Sequence, residues 1–428
     1  MIVMGGIIGS GIFINPYVVA QEVHSTALIL GAWAFGGLIA LAGAFIYAEL
    51  SSQSSASGGQ YLYLREAFHP VLAFIYGWAL LLVIQTGGMA AVAVTFAKYL
   101  MELGGSHASD MRAAVVAAIA LALLTIINCF GVRAGSTTQN VFMILKLIAI
   151  AALVVFGLTV SAAPESQTRT VLAGSSGSIW RALTAFGAAL IPVQFAYGGW
   201  QTACFVAGEV REPRKTLPRG LLLGVLGVIV VYLSVNFVCV HVLGPDGLAQ
   251  TKTPASAVMR LALGEKGARL IAAGIAISTI GFLSQSMLTA PRVYFAMAED
   301  GLFFKSLAWL NRERVPAFAI ALQGALAIVI VFWGRYEQIL NYVVSVDVVF
   351  FALTAACVFA FRRRQPTRSK DVFRIPGHPV TTLFFIAGCC AVVFSTVYHH
   401  LSNSAIGLVI MLSGLPAYFI WARRKPDR

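Results

Sequence analysis

Two glycine-rich stretches lie inside apolar segments of this 428-residue chain, and their residue types suit ligand binding better than a continuous helix. The first, GGIIGSGIF at 5–13, has four glycines in nine residues and is followed by Pro16. The second, FAYGGW at 195–200, has Pro192 upstream. Glycine and proline weaken helices, so both segments are predicted to break near their middle.

A helix that breaks inside a bilayer exposes backbone groups that can bind charged ligands. The N–H groups at the start of one half-helix bind an anion with help from the helix dipole, and free carbonyls bind an ammonium. Such backbone persists only where it is buried in protein or lines a wet cavity. One glycine-rich segment alone would favour close helix packing. Two in matching positions are typical of transporters with inverted repeats, and the pair suits an α-amino acid.

The segments that carry these breaks are predicted to span a membrane. Hydrophobic residues make up 59% of the chain and charged residues 11%, whereas soluble proteins have roughly 25% charged residues. Apolar runs of roughly 20 residues recur throughout, and their length excludes a transmembrane barrel. We therefore predict an all-α polytopic membrane protein with about twelve transmembrane helices, at 1–23, 26–50, 70–101, 113–131, 137–161, 181–208, 217–243, 268–298, 316–334, 337–361, 379–400 and 404–422.

The net charge of +13 follows membrane topology and does not indicate a nucleic-acid partner. With a cytoplasmic N-terminus, Lys and Arg concentrate in the loops that face inward, and the richest are 209–219, 292–314, 362–374 and 423–428. This is the positive-inside pattern, so both termini are predicted to be cytoplasmic. The six cysteines lie in or beside apolar spans without metal-ligand spacing, and we expect neither a metal nor a cofactor.

Five stretches resemble the amino acid–polyamine–organocation transporter superfamily, and within it the L-amino acid transporter-like branch. They are GGIIGSGIF (5–13), YAELSSQSSASGGQYLYLREAF (47–68), FAYGGW (195–200), GEVREPRKTLPRG (208–220) and RVYFAMAEDGLFFKSLAWLNRERVPAFA (292–319). The resemblance implies one transporter domain, 1–428, with the LeuT-like fold and alternating access. That fold has inverted five-helix repeats, here 1–161 and 181–361, two additional helices at 379–422, and discontinuous helices 1 and 6.

The resemblance also implies roles for residues at the two breaks. Backbone N–H groups of Ser10 and Gly11 would bind the substrate carboxylate, and Phe195 would also act as an outer gate. Carbonyls of the two breaks would hold the amino group, and Gln201 beyond the second break would tune pocket polarity. The full predicted substrate-binding set is Ile7, Gly9, Ser10, Gly11, Phe195, Ala196, Gly198 and Gln201.

Lys146 is an ammonium group inside the apolar span 137–161. By helical rise it lies roughly 13 Å from the predicted start of that span. This depth is large for a lysine side chain that extends back to the membrane interface. An intramembrane charge of this kind is a functional-site hypothesis. In the family that the chain resembles, sodium-independent members have a lysine here. Its ammonium would bridge the first span near Gly6 and Ser278 of the eighth span, and we expect sodium-independent transport by exchange.

Asp347 is the other ionisable residue well inside a span. It could relay protons, line the cavity, or accept hydrogen bonds from neighbouring helices, and the structural role is slightly favoured. No second acid lies in the middle of the third span, so neutral amino acids are favoured as substrates. The small residues Thr86, Gly87, Gly88 and Ala90 leave the pocket size open.

Several functions other than neutral amino acid exchange are compatible with these residues. Proton-coupled uptake, carriage of polyamines or cationic amino acids, and an amino acid sensor without flux all remain open. A channel would need a filter-like loop or a ring of like charges, and an enzyme would need a motif such as H-E-x-x-H; the sequence has neither.

Partners and location are predicted from the loop after the third span. Animal members of the branch pair with a glycoprotein through a cysteine in this loop, and ELGGSHASDMR at 102–112 has none. We therefore expect no disulfide-linked heavy chain and a multi-pass protein of a prokaryotic plasma membrane; the oligomeric state is left open. Relatives also have a cytoplasmic tail and further helical turns before GGIIGSGIF, so a late start codon or a truncated chain is expected here.

Overall fold

The computed structural model describes residues 1–53, 56–104, 109–130, 136–163, 176–364 and 372–422. Over these residues the chain is helical and forms no β-strand. The helices are α1 (Ile2–Ile7), α2 (Gly11–Val23), α3 (Thr26–Gln53), α4 (Gln60–Ala67), α5 (Pro70–Ala79), α6 (Gln85–Leu103), α7 (Asp110–Cys129), α8 (Ser136–Gly157), α9 (Ser176–Tyr197), α10 (Thr202–Phe205), α11 (Pro213–Gln250), α12 (Pro254–Thr289), α13 (Pro291–Glu299), α14 (Ala317–Trp333), α15 (Tyr336–Arg364), α16 (Val380–His399), α17 (Leu401–Leu412) and α18 (Gly414–Ala422).

The predicted all-α polytopic fold is confirmed. Within the described ranges, ten helical segments are long and apolar enough to cross a membrane. The shorter apolar helix α14 and the broken first span, α1 with α2, bring the number to the predicted twelve. Large apolar side chains such as Leu223, Phe394 and Val409 are exposed on the outside of the bundle. Lipid makes such a surface favourable, whereas in water it would be a liability.

Both predicted helix breaks are present. Residues 8–10 separate α1 from α2, and residues 198–201 separate α9 from α10. Helices 1 and 6 of the bundle are therefore discontinuous, as expected from their glycines.

Helix pairing agrees with two inverted repeats. Among the described elements, α2 packs against α9, α3 against α11, α6 against α12, and α7 against α14. The first four spans thus each contact their counterpart in the second predicted repeat, which places the two broken helices side by side. The repeat boundaries themselves stay a prediction.

Three connecting segments differ from the predicted spans. The loop after the second span contains α4, which follows Gly58 and Gly59 in positive-φ conformations. Helical structure continues beyond predicted residue 243 to Gln250, but Gly244 (φ 68°) turns the chain there, and Pro245 follows it. The helix predicted from 268 begins at Pro254 and turns at Gly264 (φ 68°). Glycine allows these backbone conformations, and apolar run length alone does not reveal them.

Ion pairs hold the end of the bundle that carries the basic loops. Arg65 pairs with Asp300, which also accepts a hydrogen bond from the Tyr61 hydroxyl at 2.6 Å. Burial opposes the charge of Arg65, but the hydrogen bond and the charge of Asp300 outweigh it and raise the pKa of Arg65. Arg292 pairs with Glu209 at 3.1 Å. These contacts join α13 to α4 and to the segment after α10 beside an open cavity of about 470 Å³.

Candidate functional site

The first break leaves the start of α2 without helical partners. Helix α1 ends at Ile7, and Ile8 leaves the helical conformation with a ψ of 84°. The Gly9 N–H turns back to the Ile7 carbonyl at 2.8 Å, and α2 begins at Gly11. The Ser10 side chain forms no capping hydrogen bond. The first N–H groups of a helix have no acceptor within it, so this end of α2 can bind an anion.

The second break is held by side chains that follow it. Helix α9 ends with the Gly198 N–H bonded to the Gln194 carbonyl at 2.9 Å. Gly199 has a φ of +113°, a conformation that favours glycine. Its N–H donates to Oε1 of Gln201 at 2.9 Å, and its carbonyl accepts from the Thr202 hydroxyl at 2.7 Å. Gln201 therefore fixes the break in addition to lining the cavity beside it.

The two breaks touch through backbone atoms. A Cβ atom at Gly199 would collide with the Gly6 carbonyl, and one at Gly6 would lie 2.9 Å from the Gly199 carbonyl. A Cβ at Gly11 would lie 2.6 Å from Cα of Ala196. Glycine at these positions is what allows the broken helices to meet.

Tyr232 of α11 bridges the breaks and was not predicted from the sequence. Its buried hydroxyl lies 3.1 Å from the carbonyl oxygens of both Ile7 and Ala196. The Ile7 oxygen also accepts the Gly9 N–H, so both of its acceptor sites are in use, and Tyr232 fixes the position of this carbonyl at the break. A tyrosine in an apolar span is common as a packing residue, so nothing in the sequence singled it out.

All eight residues of the predicted substrate-binding set line one cavity of about 90 Å³. The same cavity is lined by Gln85 and Gly88 of α6, Phe282 of α12, and Asp347 and Val348 of α15, among others. A Cβ at Gly88 would have nothing within 4 Å, so this glycine faces open space. The geometry brings all eight together around one cavity, and their role in substrate binding stays a prediction.

An aromatic pair lies beside the cavity on its predicted external side. The ring of Phe195 meets the ring of Tyr336 edge-on, with 6.3 Å between the centroids. The Tyr336 hydroxyl donates to Oδ1 of Asn15 at 2.9 Å, and Nδ2 of Asn15 donates to the Pro192 carbonyl at 2.6 Å. Lys98 places its ammonium 5.8 Å from the Tyr336 ring centroid. These contacts tie α2, α9 and α15 together.

Asn15 and Tyr336 were also missed at the sequence level. One signal for Asn15 was available, because an amide within an apolar helix is costly unless it is hydrogen-bonded. Asn15 is fully buried, and both ends of its amide are paired. Its partners come from distant parts of the chain, so the sequence could flag the residue without identifying the contacts.

Lys146 reaches the first break at a different atom from the one expected. Its ammonium donates to the Ile8 carbonyl and not to Gly6, and the side chain is only 3% exposed. The Gly6 carbonyl is directed at Gly199, whereas Ile8 presents a carbonyl outside regular helix. Oγ of Ser278 is buried and, within the described ranges, has no hydrogen-bond partner, so the expected bridge to Ser278 is absent here.

Asp347 faces the cavity, and one of its oxygens is unpaired. Its Oδ1 atom is buried and makes no hydrogen bond to any described residue. The favoured expectation, an acceptor for neighbouring helices, is not seen at this oxygen among the described residues, and it stays a prediction for the carboxyl group as a whole. The alternative that Asp347 lines the cavity is the one observed.

Glu49, the remaining acid of the second span, is engaged elsewhere. It is fully buried and forms two hydrogen bonds with the Arg362 guanidinium at 2.6 and 2.8 Å, and it accepts a third from the Ile375 N–H. These contacts join α3 to α15 and to the segment before α16. Within the part of the chain that the structure describes, no group of three or more His, Cys, Asp or Glu side chains could hold a metal ion.

Comparison with known proteins adds a family match over almost the whole chain. The model of a family described as amino acid permease matches residues 1–415. The chain is 31% identical to the serine/threonine exchanger SteT of Bacillus subtilis (strain 168), over 99% of this chain and 95% of that protein. It is 30% identical to the large neutral amino acids transporter small subunit 2 of Homo sapiens, over 99% of this chain and 80% of that protein. It is 29% identical to the b(0,+)-type amino acid transporter 1 of Oryctolagus cuniculus, over 99% of this chain and 86% of that protein.

Proposed function

The chain belongs to the amino acid permease family, and from that premise we propose that it exchanges neutral L-amino acids across a plasma membrane by alternating access. The observation that carries this proposal is the contact between two helix breaks around one cavity. Backbone donors of one break and carbonyls of both converge there, as an α-amino acid requires.

The two charged ends of the substrate bind to backbone groups in this proposal. The N–H groups of Ser10 and Gly11, at the positive end of the α2 dipole, bind the α-carboxylate. Carbonyls of Phe195 and Gly198 accept hydrogen bonds from the α-ammonium, and the Ile7 carbonyl joins them by exchanging its bond to the Gly9 N–H or to the Tyr232 hydroxyl. Because these contacts involve only the groups that all amino acids share, the remaining walls of the cavity decide which side chains are accepted.

The volume of the cavity favours small substrates. A single water needs at least roughly 10–15 Å³ of such space, so a cavity of about 90 Å³ holds a few waters or one small solute. Alanine, serine and threonine have short side chains, whereas phenylalanine and tryptophan carry rings that would need a wider cavity. The relative named as a serine/threonine exchanger supports this choice. The relative named for large neutral amino acids would require a wider cavity.

Phe195 acts as the outer gate in this proposal, together with Tyr336. The edge-on contact of the two rings and the hydrogen bond from Tyr336 to Asn15 close the predicted external side of the cavity. Opening the site outward requires α15 to move away from α2 and α9, which breaks these contacts.

Lys146 supports sodium-independent transport. Its ammonium is bound to the Ile8 carbonyl at the first break, where a bound cation would otherwise neutralise free carbonyls. A fixed positive charge at this point repels a sodium ion, so exchange needs no ion gradient. Proton-coupled uptake is the second candidate, because Asp347 lines the cavity and one of its carboxyl oxygens is buried without a hydrogen-bond partner among the described residues.

Orientation and partners are part of the same proposal. The loops rich in Lys and Arg support a cytoplasmic location for both termini. One relative is by name a small subunit, so the comparisons do not support the expectation that no heavy chain is present. That expectation depends only on the lack of cysteine at 102–112, of which 105–108 lie outside the described residues.

A competition panel in proteoliposomes tests the proposal. Uptake of labelled serine into vesicles preloaded with serine is challenged with each neutral amino acid, with lysine, arginine and a polyamine, and is repeated without sodium and with an acidic exterior. We expect small neutral amino acids to compete, with no effect of sodium or pH gradient. Steep dependence on sodium would refute the role of Lys146, dependence on the proton gradient would favour the second candidate, and binding without flux would indicate a sensor.

A further inference from the structure

The cavity between the helix breaks has one ionisable side chain among the described residues that line it, Asp347. The lining residues nearest to it on α15, Val343, Val344, Val348 and Phe351, are apolar. Oδ1 of Asp347 is buried and has no hydrogen-bond donor among the described residues. A buried acceptor without a partner is costly, and Asp347 as a whole is half-buried and lines the cavity, so this carboxyl group has acceptor capacity beside the space that a ligand would fill.

The position of Asp347 decides which part of a substrate it meets. The two breaks, which would hold the charged α-groups, belong to α1, α2, α9 and α10, whereas Asp347 belongs to α15. A substrate whose α-groups are bound at the breaks directs its side chain at the other walls, formed by α6, α12 and α15. Asp347 is the group of the α15 wall that can accept a hydrogen bond from that side chain.

Resting on the proposed function, we propose that Asp347 is the specificity-determining residue of the cavity and accepts a hydrogen bond from a side-chain hydroxyl of the substrate. Serine and threonine are then preferred over alanine and valine. A hydroxyl fits better than a side-chain ammonium, because the longer side chains of lysine and arginine would need a larger cavity than one of about 90 Å³.

Threonine and valine separate this proposal from simple size selection. The two amino acids have nearly the same shape and differ by a hydroxyl in place of a methyl group. A site built to bond a hydroxyl rejects the analogue that lacks it far more strongly than an apolar pocket rejects a missing methylene, because a buried polar group is left unpaired. We expect threonine to compete at a concentration at least about tenfold lower than valine.

The experiment uses exchange of labelled alanine in proteoliposomes preloaded with alanine, with threonine, valine and ornithine as competitors. Three variants are compared with the unaltered chain. Asp347→Asn keeps an acceptor oxygen and should keep the preference for threonine. Asp347→Leu removes the acceptor and should bring threonine and valine within about twofold of each other. Ser345→Ala is the matched control, since it removes a buried hydroxyl from the same helix, and it should leave the preference unchanged. Among the described residues this hydroxyl donates to the Tyr342 carbonyl at 2.9 Å.

The outcomes separate this inference from the function on which it depends. Absence of alanine exchange by the unaltered chain would refute the proposed function and the inference with it. Normal alanine exchange with equal competition by threonine and valine would overturn the inference alone. So would a preference for threonine that survives Asp347→Leu. Strong competition by ornithine that disappears in both Asp347 variants would assign the carboxylate to a cationic side chain, and so would also overturn it.

Discussion

Removing one hydroxyl, by Tyr336→Phe, tests how the outer side of the cavity is closed. The substitution keeps the ring that faces Phe195 but removes the 2.9 Å hydrogen bond to Oδ1 of Asn15. Asn15 is fully buried, so its oxygen loses its partner at a cost of about 1–3 kcal/mol. In an outward-open state water reaches this amide and the cost disappears. The equilibrium should therefore shift toward the open state by about 5- to 150-fold.

Thiol labelling at Gly88 measures this shift. Gly88 lines the cavity and faces open space, so Gly88→Cys places a reactive group in the cavity without a clash. With the native cysteines replaced, a membrane-impermeant thiol reagent should modify Gly88→Cys at least about fivefold faster when Tyr336→Phe is also present. Tyr342→Phe, which removes a hydroxyl from the same helix without affecting Asn15, should not change the rate. Equal labelling rates with and without Tyr336→Phe would refute the reasoning.

Three further substitutions have expected outcomes. Lys146→Met removes the charge at the first break but keeps most of the side-chain volume. Exchange of labelled serine should fall at least about tenfold, while the gel-filtration peak of the protein stays monodisperse. Unchanged exchange would contradict the role of the charge. Gly88→Ala should weaken competition by threonine more than competition by alanine, and it should leave the melting temperature unchanged. Gly87→Ala should lower the melting temperature instead, because its Cβ would lie 2.5 Å from a valine of α15. Glu49→Gln breaks a buried ion pair with Arg362 and should destabilise the protein by about 3–5 kcal/mol, and an unchanged melting temperature in detergent would show that the pair contributes little.

Hydropathy and glycine content predicted the spans and the breaks because bilayer physics acts locally. A span must be apolar over its whole length, and a break needs residues that tolerate non-helical backbone. Both features can therefore be recognised in a short stretch of sequence. The convergence of Ile7, Ser10 and Gly198 on one cavity was predictable for a related reason. Two broken helices in matching positions of an inverted repeat pack side by side.

Contacts between distant spans were not predictable from one sequence. Tyr232 bridges the breaks from α11, and Tyr336 reaches Asn15 across more than three hundred residues of chain. Either contact depends on which helix faces meet, and apolar composition is similar on all faces of a buried helix. Lys146 was recognised by its charge, but its partner depended on the ψ angle of Ile8, which no residue pattern specifies.

Counterflow in proteoliposomes tests the central claim most directly. Vesicles containing the purified chain are loaded with unlabelled serine or left empty, and the entry of a trace of labelled serine is followed over time. Exchange by alternating access predicts a transient accumulation of label in loaded vesicles, little entry into empty ones, and the same result without sodium. Equal entry into loaded and empty vesicles, or no entry despite measurable serine binding, would contradict the account.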